Sequence, residues 1–513
     1  MGHMINSLYE DFISVGMSYT TWTYFVLVGI CLLLYYILPM RIRWIVLLFG
    51  SGAFFSFAIP DDGMSLMFLL ERPGFIIMTS EREVKISLFF LSIVLTYIGG
   101  LILQRSKNRI VFCIFLILSI LPLTVVKIDA FSNGLFLDGM ASAIVPLGLS
   151  FYSLQEYAYL YDVYKDKTDC QKNPLKLALF ISFFPQILQG PIPRYAQLKE
   201  ELYIGHRFDY DGFAKGFMLA LWGFFLKFMI AERASVIVNA IFSDHRMYQG
   251  AFSLVAGILY SIQLYADFLA CVCMSRGVAG MFGITLAENF MQPYLAVSIK
   301  DFWRRWHMSL SSWLRDYVYI PLGGSRRGNG RKYLNLVLTF LVSAIWHGSG
   351  IRFIVWGLLH AIYQILGDLL KPVKEFIKRI FGIKNGTMAQ KTIARIMTFF
   401  LVMLGWIVFR ADTLKTGIEM IKSIFTVYNP WIFFDDSLLR LGLDWKEWML
   451  LIVSIYLLFR MEYMQQKVVV RDAIMRQPLI VRWILILSVM TIVIIFGKYG
   501  YGFNAADFIY GGF

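Results

Sequence analysis

Charge is scarce in this sequence. Of 513 residues only 16% are Asp, Glu, Lys or Arg, against 58% hydrophobic and 17% aromatic. A soluble chain of this make-up would carry more apolar side chain than it could bury. Cysteine is scarce as well, with five residues at positions 31, 113, 170, 271 and 273. Cys271 and Cys273 form a Cys-x-Cys pair inside an apolar segment. No further ligands stand nearby at matching spacing, so packing explains them better than a metal centre. Glycine-rich nucleotide loops, zincin helices and EF-hand patterns are missing, and no metal or bound cofactor is expected. There is no internal repeat, no low-complexity tract and no polar stretch long enough for a soluble domain. A basic start, short apolar core and small-residue cleavage site are not evident at the N-terminus, and His3, in "MGHM", carries no weight.

What the chain does have is long hydrophobic runs. Candidate spans cover 22–39, 44–59, 84–103, 110–126, 140–160, 174–190, 213–230, 251–273, 333–347, 351–370, 393–409, 446–459 and 481–497. A bilayer core needs about 17–25 apolar residues per helix, which sets an expectation of about ten to thirteen membrane helices with re-entrant or interfacial helices besides. Backbone polar groups in lipid must be satisfied internally, so the fold class is all-α and polytopic. One membrane domain over 1–513 is expected, with a core at 140–410 and C-terminal helices and tail at 411–513.

Net charge is +14, with a pI near 9.4. In a soluble protein that would suggest nucleic acid. Here positive-inside loops account for it, and no nucleic-acid partner is expected. Basic loops at 40–43, 104–109 and 164–176 alternate with acidic or neutral ones, which fits an outside N-terminus and those three loops in the cytoplasm.

One polar stretch stands out, "DFWRRWHMSLSSWLRDYVYIPLGG" from Asp301 to Gly324. Read as a helix, Ile299, Phe302, Trp303, Trp306, Leu310, Trp313, Leu314 and Tyr317 make one apolar stripe. Lys300, Arg304, His307, Ser311 and Arg315 make a polar one beside it, and Pro321 with Gly323-Gly324 ends the helix. Such a helix lies in the interface or lines a cavity. Snorkelling explains Arg304, Arg305 and Arg315 but leaves His307 unexplained. The basic turn "GGSRRGNGRKY" that follows suits either a cytoplasmic loop or an anionic ligand such as a phosphate.

Next comes "YLNLVLTFLVSAIWHGSG". His347 lies roughly 20 Å along a helix starting at the basic turn, deep in a core about 30 Å thick. Gly348, Ser349 and Gly350 break the helix just beyond, and "IRFIVWGLLHAIYQILGDLL" leads back to basic residues. A break at depth is tolerated where it lines a cavity. Two odd histidines without a serine or cysteine nucleophile motif point to acid–base chemistry. A neutral imidazole can deprotonate an alcohol as it attacks a thioester.

These stretches resemble the two core motifs of the membrane-bound O-acyltransferase family, in the bacterial branch typified by the alginate O-acetyltransferase membrane subunit. "VPLGLSFYSLQEYAYLYDVYKDK", "FFPQILQGPIPRYAQL" and the closing "FIYGGF" follow that branch too. The resemblance implies a ring of helices around a central tunnel in a bacterial plasma membrane. Donor enters from the cytosol and acceptor from the other side. His347 would be the general base and His307 would orient or polarise the thioester. Arg304, Arg305, Arg326 and Arg327 would meet the phosphates of acetyl-CoA or of a carrier protein's phosphopantetheine. His360 is read as structural, and His206 and His245 as ordinary loop residues. Tyr510, in the tail, would relay the acyl group or anchor the chain at the interface.

The implied function is transfer of an acyl group, acetyl in this branch, from a cytosolic thioester across the membrane to an extracellular or cell-wall polysaccharide. A separate extracytoplasmic SGNH hydrolase-like transferase and a cytosolic carrier protein are the implied partners, beside membrane lipid. D-alanyl transfer to teichoic acid is the near alternative, and a polytopic transporter or flippase the alternative from another class. One run departs from the branch: "DFLACVCMSRG", Asp267 to Gly277, keeps only the Asp-Phe start and the final glycine of the usual motif.

Overall fold

The computed structural model describes residues 17–59, 65–68, 77–131, 145–380, 382 and 386–499. Most of it is helical, beside a short antiparallel ribbon, β1 (Ser65–Phe68) with β2 (Ile77–Ser80). Among the described residues, seven helices or helix runs are long and apolar enough to cross a bilayer. Others of spanning length are amphipathic, with Arg331, Lys332, Arg352, Asp368, Lys446 and Arg460 along them. A hydropathy average passes over such helices. Chain contacts divide the protein into two compact units.

The first unit takes residues up to Leu221 together with Cys271–Ala287. Its helices are α1 (Trp22–Ile37), α2 (Arg43–Ala58), α3 (Glu81–Ser106), α4 (Arg109–Phe131), α5 (Leu149–Tyr164), α6 (Pro174–Ser182), α7 (Tyr195–Tyr203) and the start of α8 (Tyr210–Phe225). Side chains such as Ile110 and Phe90 point outward uncovered, as a lipid-facing surface requires. Inside, α5 is almost wholly buried. A Cβ on Gly100 of α3 would come 2.8 Å from the Tyr159 hydroxyl of α5, so the bare glycine sets how close the two helices pack.

The expected span at 174–190 is corrected. Asn173 caps α6, its side chain accepting from the Leu175 and Lys176 amides, and Pro174 opens the first turn. The helix then stops at Ser182. Pro185, Pro191, Pro193 and Gly190 follow, in a largely buried irregular segment. Proline lacks the amide that a helix needs. Side chains replace the lost helical bonds. Tyr19 Oη donates to the Pro185 carbonyl at 2.9 Å, and the Phe184 amide donates to Ser51 Oγ at 3.1 Å.

The second unit takes 222–270 and 288–499. Its helices are α9 (Glu232–Ser243), most of α10 (Ala251–Met281), α11 (Ile299–Arg305), α12 (Met308–Leu314), α13 (Gly328–His347), α14 (Ile351–Leu369), α15 (Lys371–Ile380), α16 (Met388–Arg410), α17 (Leu414–Thr426), α18 (Trp445–Gln465), α19 (Val470–Met475) and α20 (Leu479–Phe496). A π-helical turn, Leu226–Ala231, joins the end of α8 to α9. It carries Lys227, whose Nζ lies 2.6 Å from Glu232 and 2.8 Å from Asp267 of α10. Lys227 and Asp267 are both buried. Asp267, one of the three residues that remain of the departing motif, thus anchors α10 to the π turn. Two residues earlier on α10, Tyr265 donates its hydroxyl to Glu462 of α18.

Breaking a buried ion pair strands its remaining charge. Lys227→Met should cost about 3–5 kcal/mol and lower the thermal unfolding midpoint in detergent. Adding Asp267→Asn should recover part of the loss, and a Lys227→Met midpoint equal to wild type would contradict the assignment.

Candidate active site

The polar stretch at 301–324 is not one helix, which corrects the helical reading. It divides into α11 and α12 with a break at Trp306-His307, then a π turn at Arg315–Tyr319. His307 has φ +44°, a left-handed conformation uncommon outside glycine. The cause lies in the preceding connection. The Asn289 carbonyl accepts from the Met308 amide at 2.9 Å, and Arg305's carbonyl accepts from the Met291 amide at 3.0 Å. Asn289 Oδ1 then gathers three contacts: the Ser309 amide at 3.1 Å, Ser309 Oγ at 2.8 Å and His307 Nδ1 at 3.1 Å. Asn289 has no exposed surface and His307 is 1% exposed. A segment captured in this way cannot continue the α11 helix, and the break turns His307 inward.

Around the imidazole stand Phe268 of α10, edge-on at 4.7 Å between ring centroids, and Trp346 at 6.0 Å. His347, the last residue of α13 and also 1% exposed, packs against the same Trp346 at 4.7 Å. Both histidines therefore flank one indole within one unit. Gly348 follows with extended backbone, and Gly350 has φ +119°, so the chain reverses into α14. A Cβ on Gly348 would sit 2.2 Å from the Phe353 ring. Trp356 of α14 and Phe409 of α16 close the other sides of His347, at 5.2 and 5.6 Å.

His360 is fully buried one turn beyond Trp356. Its Nδ1 accepts from Trp303 Nε1 at 3.3 Å, and its Nε2 lies 2.9 Å from where a Cβ on Gly405 would be. It joins α11, α14 and α16. His206 lies in the first unit, its Nε2 2.8 Å from the Glu201 carbonyl oxygen. His245 pairs with Glu419 at 3.0 Å near the surface.

The arginines differ among themselves. Arg304, Arg326 and Arg327 are exposed. Arg305 is half-buried and committed, its Nε donating to Asp301 at 3.0 Å and a terminal nitrogen to the Met291 carbonyl. The turn bearing Arg326 and Arg327 is held by buried Asn335, whose Nδ2 donates to the Leu322 and Gly324 carbonyls. Among the described residues no three His, Cys, Asp or Glu side chains gather as a metal site. Tyr510 lies outside the described residues.

Asn289, Asn335 and Lys227 were not flagged from sequence, and Asp267 was noted only as the start of the departing run, without its partner. Asn289, Asn335 and Lys227 are each one polar residue in an unremarked context, and no spacing rule singles them out. Trp346 was legible only as part of the histidine motif.

A sequence profile described as MBOAT, membrane-bound O-acyltransferase family, matches residues 165–381 and so includes both histidines. The chain is 30% identical to the teichoic acid D-alanyltransferase of Bacillus subtilis over 319 residues, 60% of this chain and 79% of that one. The chain belongs to the membrane-bound O-acyltransferase family. Other relatives in this comparison are named O-acetylating enzymes. The "Probable alginate O-acetylase AlgI" of Pseudomonas fluorescens is 35% identical over 287 residues, 56% of this chain and 55% of that protein. The peptidoglycan O-acetyltransferase of Helicobacter pylori is 34% identical over 312 residues, 55% and 57% of the two chains. The chain thus spans just over half the length of these two relatives. With its apolar helices, this family member is a multi-pass membrane protein.

Proposed function

We propose that the chain is an O-acyltransferase of the bacterial plasma membrane. It passes an acyl group, acetyl in this reading, from a cytosolic thioester across the membrane for O-acylation of an extracellular or cell-wall polysaccharide. The observation that carries the reading is the pair of buried imidazoles on Trp346, inside the segment that matches the family. The chemistry needs a base for a hydroxyl proton and an apolar wall that excludes water. As the acceptor oxygen bonds to the thioester carbonyl carbon, the carbon–sulfur bond breaks. The hydroxyl proton passes through an imidazole, His347 by family resemblance, and ends on the departing thiolate. The aromatic rings around His347 supply the dry surroundings.

Exposed Arg304, Arg326 and Arg327 suit the phosphates of acetyl-CoA or of a carrier-bound phosphopantetheine, whereas Arg305 is already paired with Asp301. Tyr510 stays a candidate acyl relay on its place in the tail. An SGNH hydrolase-like partner outside the membrane and a carrier protein inside belong to the same reading. D-alanyl transfer to teichoic acid is a second reading, favoured by the larger share of the Bacillus relative that this chain covers.

Purified protein in lipid nanodiscs, given radiolabelled acetyl-CoA or a D-alanyl carrier thioester, decides between them. Acetyl turnover is expected, and His347→Ala should lower it at least ~100-fold with the fold intact. Turnover of the D-alanyl donor alone would select the second reading. Full activity in His347→Ala would remove the acid–base mechanism.

A further inference from the structure

The contacts of Asn289 determine which nitrogen of His307 carries its proton. The Ser309 backbone amide can only donate, and it points at one atom of the Asn289 carboxamide from 3.1 Å. That atom must be the oxygen, since a facing NH₂ would set two donors against each other. Ser309 Oγ donates to the same oxygen at 2.8 Å. His307 Nδ1, at 3.1 Å from it, therefore meets an acceptor and must be the protonated nitrogen. In a neutral ring the other nitrogen, Nε2, then holds the lone pair.

Neutrality follows from the surroundings. Against the ring stand Phe268 from α10, Asn289 from the connecting segment and Trp346 from α13, with Ser309 of α12 bonded to Asn289. None of these titrates. The titratable residues beside them in the chain are Asp267, engaged with Lys227, Glu288, which is exposed, and His347.

We propose that Asn289 is a positioning residue that fixes His307 as the Nδ1–H tautomer, so that Nε2 accepts a proton and does not donate to the thioester carbonyl. This revises the polarising role that family resemblance implies for His307, and it rests on the acyl-transfer reading only for its kinetic consequence. The site then holds a second imidazole able to take the hydroxyl proton while the C–O bond forms and the C–S bond breaks. The proton is returned to the thiolate, and no other reactant is needed. Ser309 completes the clamp. With two donors of its own on Oδ1, it keeps the carboxamide from turning over.

The tautomer can be read without any turnover. Selective ¹⁵N-histidine labelling of the full chain gives signals from six residues, and His307→Gln identifies the one from position 307. A protonated Nδ1 with an unprotonated Nε2 is expected at neutral pH, whereas an Nε2–H signal overturns the proposal. Asn289→Asp keeps an acceptor for the Ser309 amide and so protects the fold, but sets a carboxylate against Nδ1–H and favours the imidazolium. Its acid limb in kcat/KM should move up by about one pH unit or more. Asn289→Leu should lower kcat at least ~10-fold with KM within about twofold and leave the acid limb in place. A merely structural Asn289 would lower the unfolding midpoint in both variants and move neither tautomer nor pH profile, and that result also overturns the proposal. If no acyl donor is turned over by wild-type protein, the acyl-transfer reading fails and the ¹⁵N signals still decide the role of Asn289.

Discussion

A peptide group that leaves a helix inside an apolar body must find its partner within the protein, because lipid has none to give. Three buried irregular segments among the described residues meet that constraint with a side chain or a neighbouring carbonyl. Tyr19 and Ser51 serve the segment after α6. Asn335 serves the turn at Leu322–Gly324. Asn289 serves the break between α11 and α12 through both its backbone and its carboxamide. The same groups that make a break affordable also fix its geometry.

Both histidines of the candidate site sit at such breaks. His307 takes a left-handed backbone between two short helices, and His347 ends α13 just ahead of Gly348. Mid-helix side chains cover the turn before them and are directed by the regular backbone. A residue at a break is aimed by whatever captures the chain there, which lets a ring point into the body from the end of a helix. Trp346 then serves both imidazoles as a shared wall, and the rings of Phe268, Trp356 and Phe409 enclose them.

The polytopic helical class was legible because long apolar runs admit few other structures in lipid. The two histidines were legible because an ionisable ring in an apolar stretch is costly and rarely idle. Helix ends were harder to read. The run at 174–190 has the hydropathy of a span, and an average over it hides the effect of Pro185 and Gly190. The stripe from Ile299 to Tyr317 has helical spacing throughout, yet one asparagine, distant by 18 residues from His307, breaks it. Periodicity reports what a segment does alone, whereas a contact made across the sequence leaves no period. Asp267 shows the converse: a motif that had lost most of its usual residues kept the one that holds an ion pair.

The π turn at Leu226–Ala231 also bears on how the chain gets into the bilayer. Lys227 and Glu232 are five residues apart, and a turn of that pitch brings their charges to 2.6 Å within a single continuous stretch. The stretch can leave the translocon as an internally neutralised pair, before the ribosome has delivered Asp267. An unaccompanied ammonium at the centre of a membrane helix costs about 2.5–3.5 kcal/mol on the insertion scale. One extra residue in a helical turn thus gives this segment a counter-ion it carries with it, and α10 arrives later to a charge already half settled.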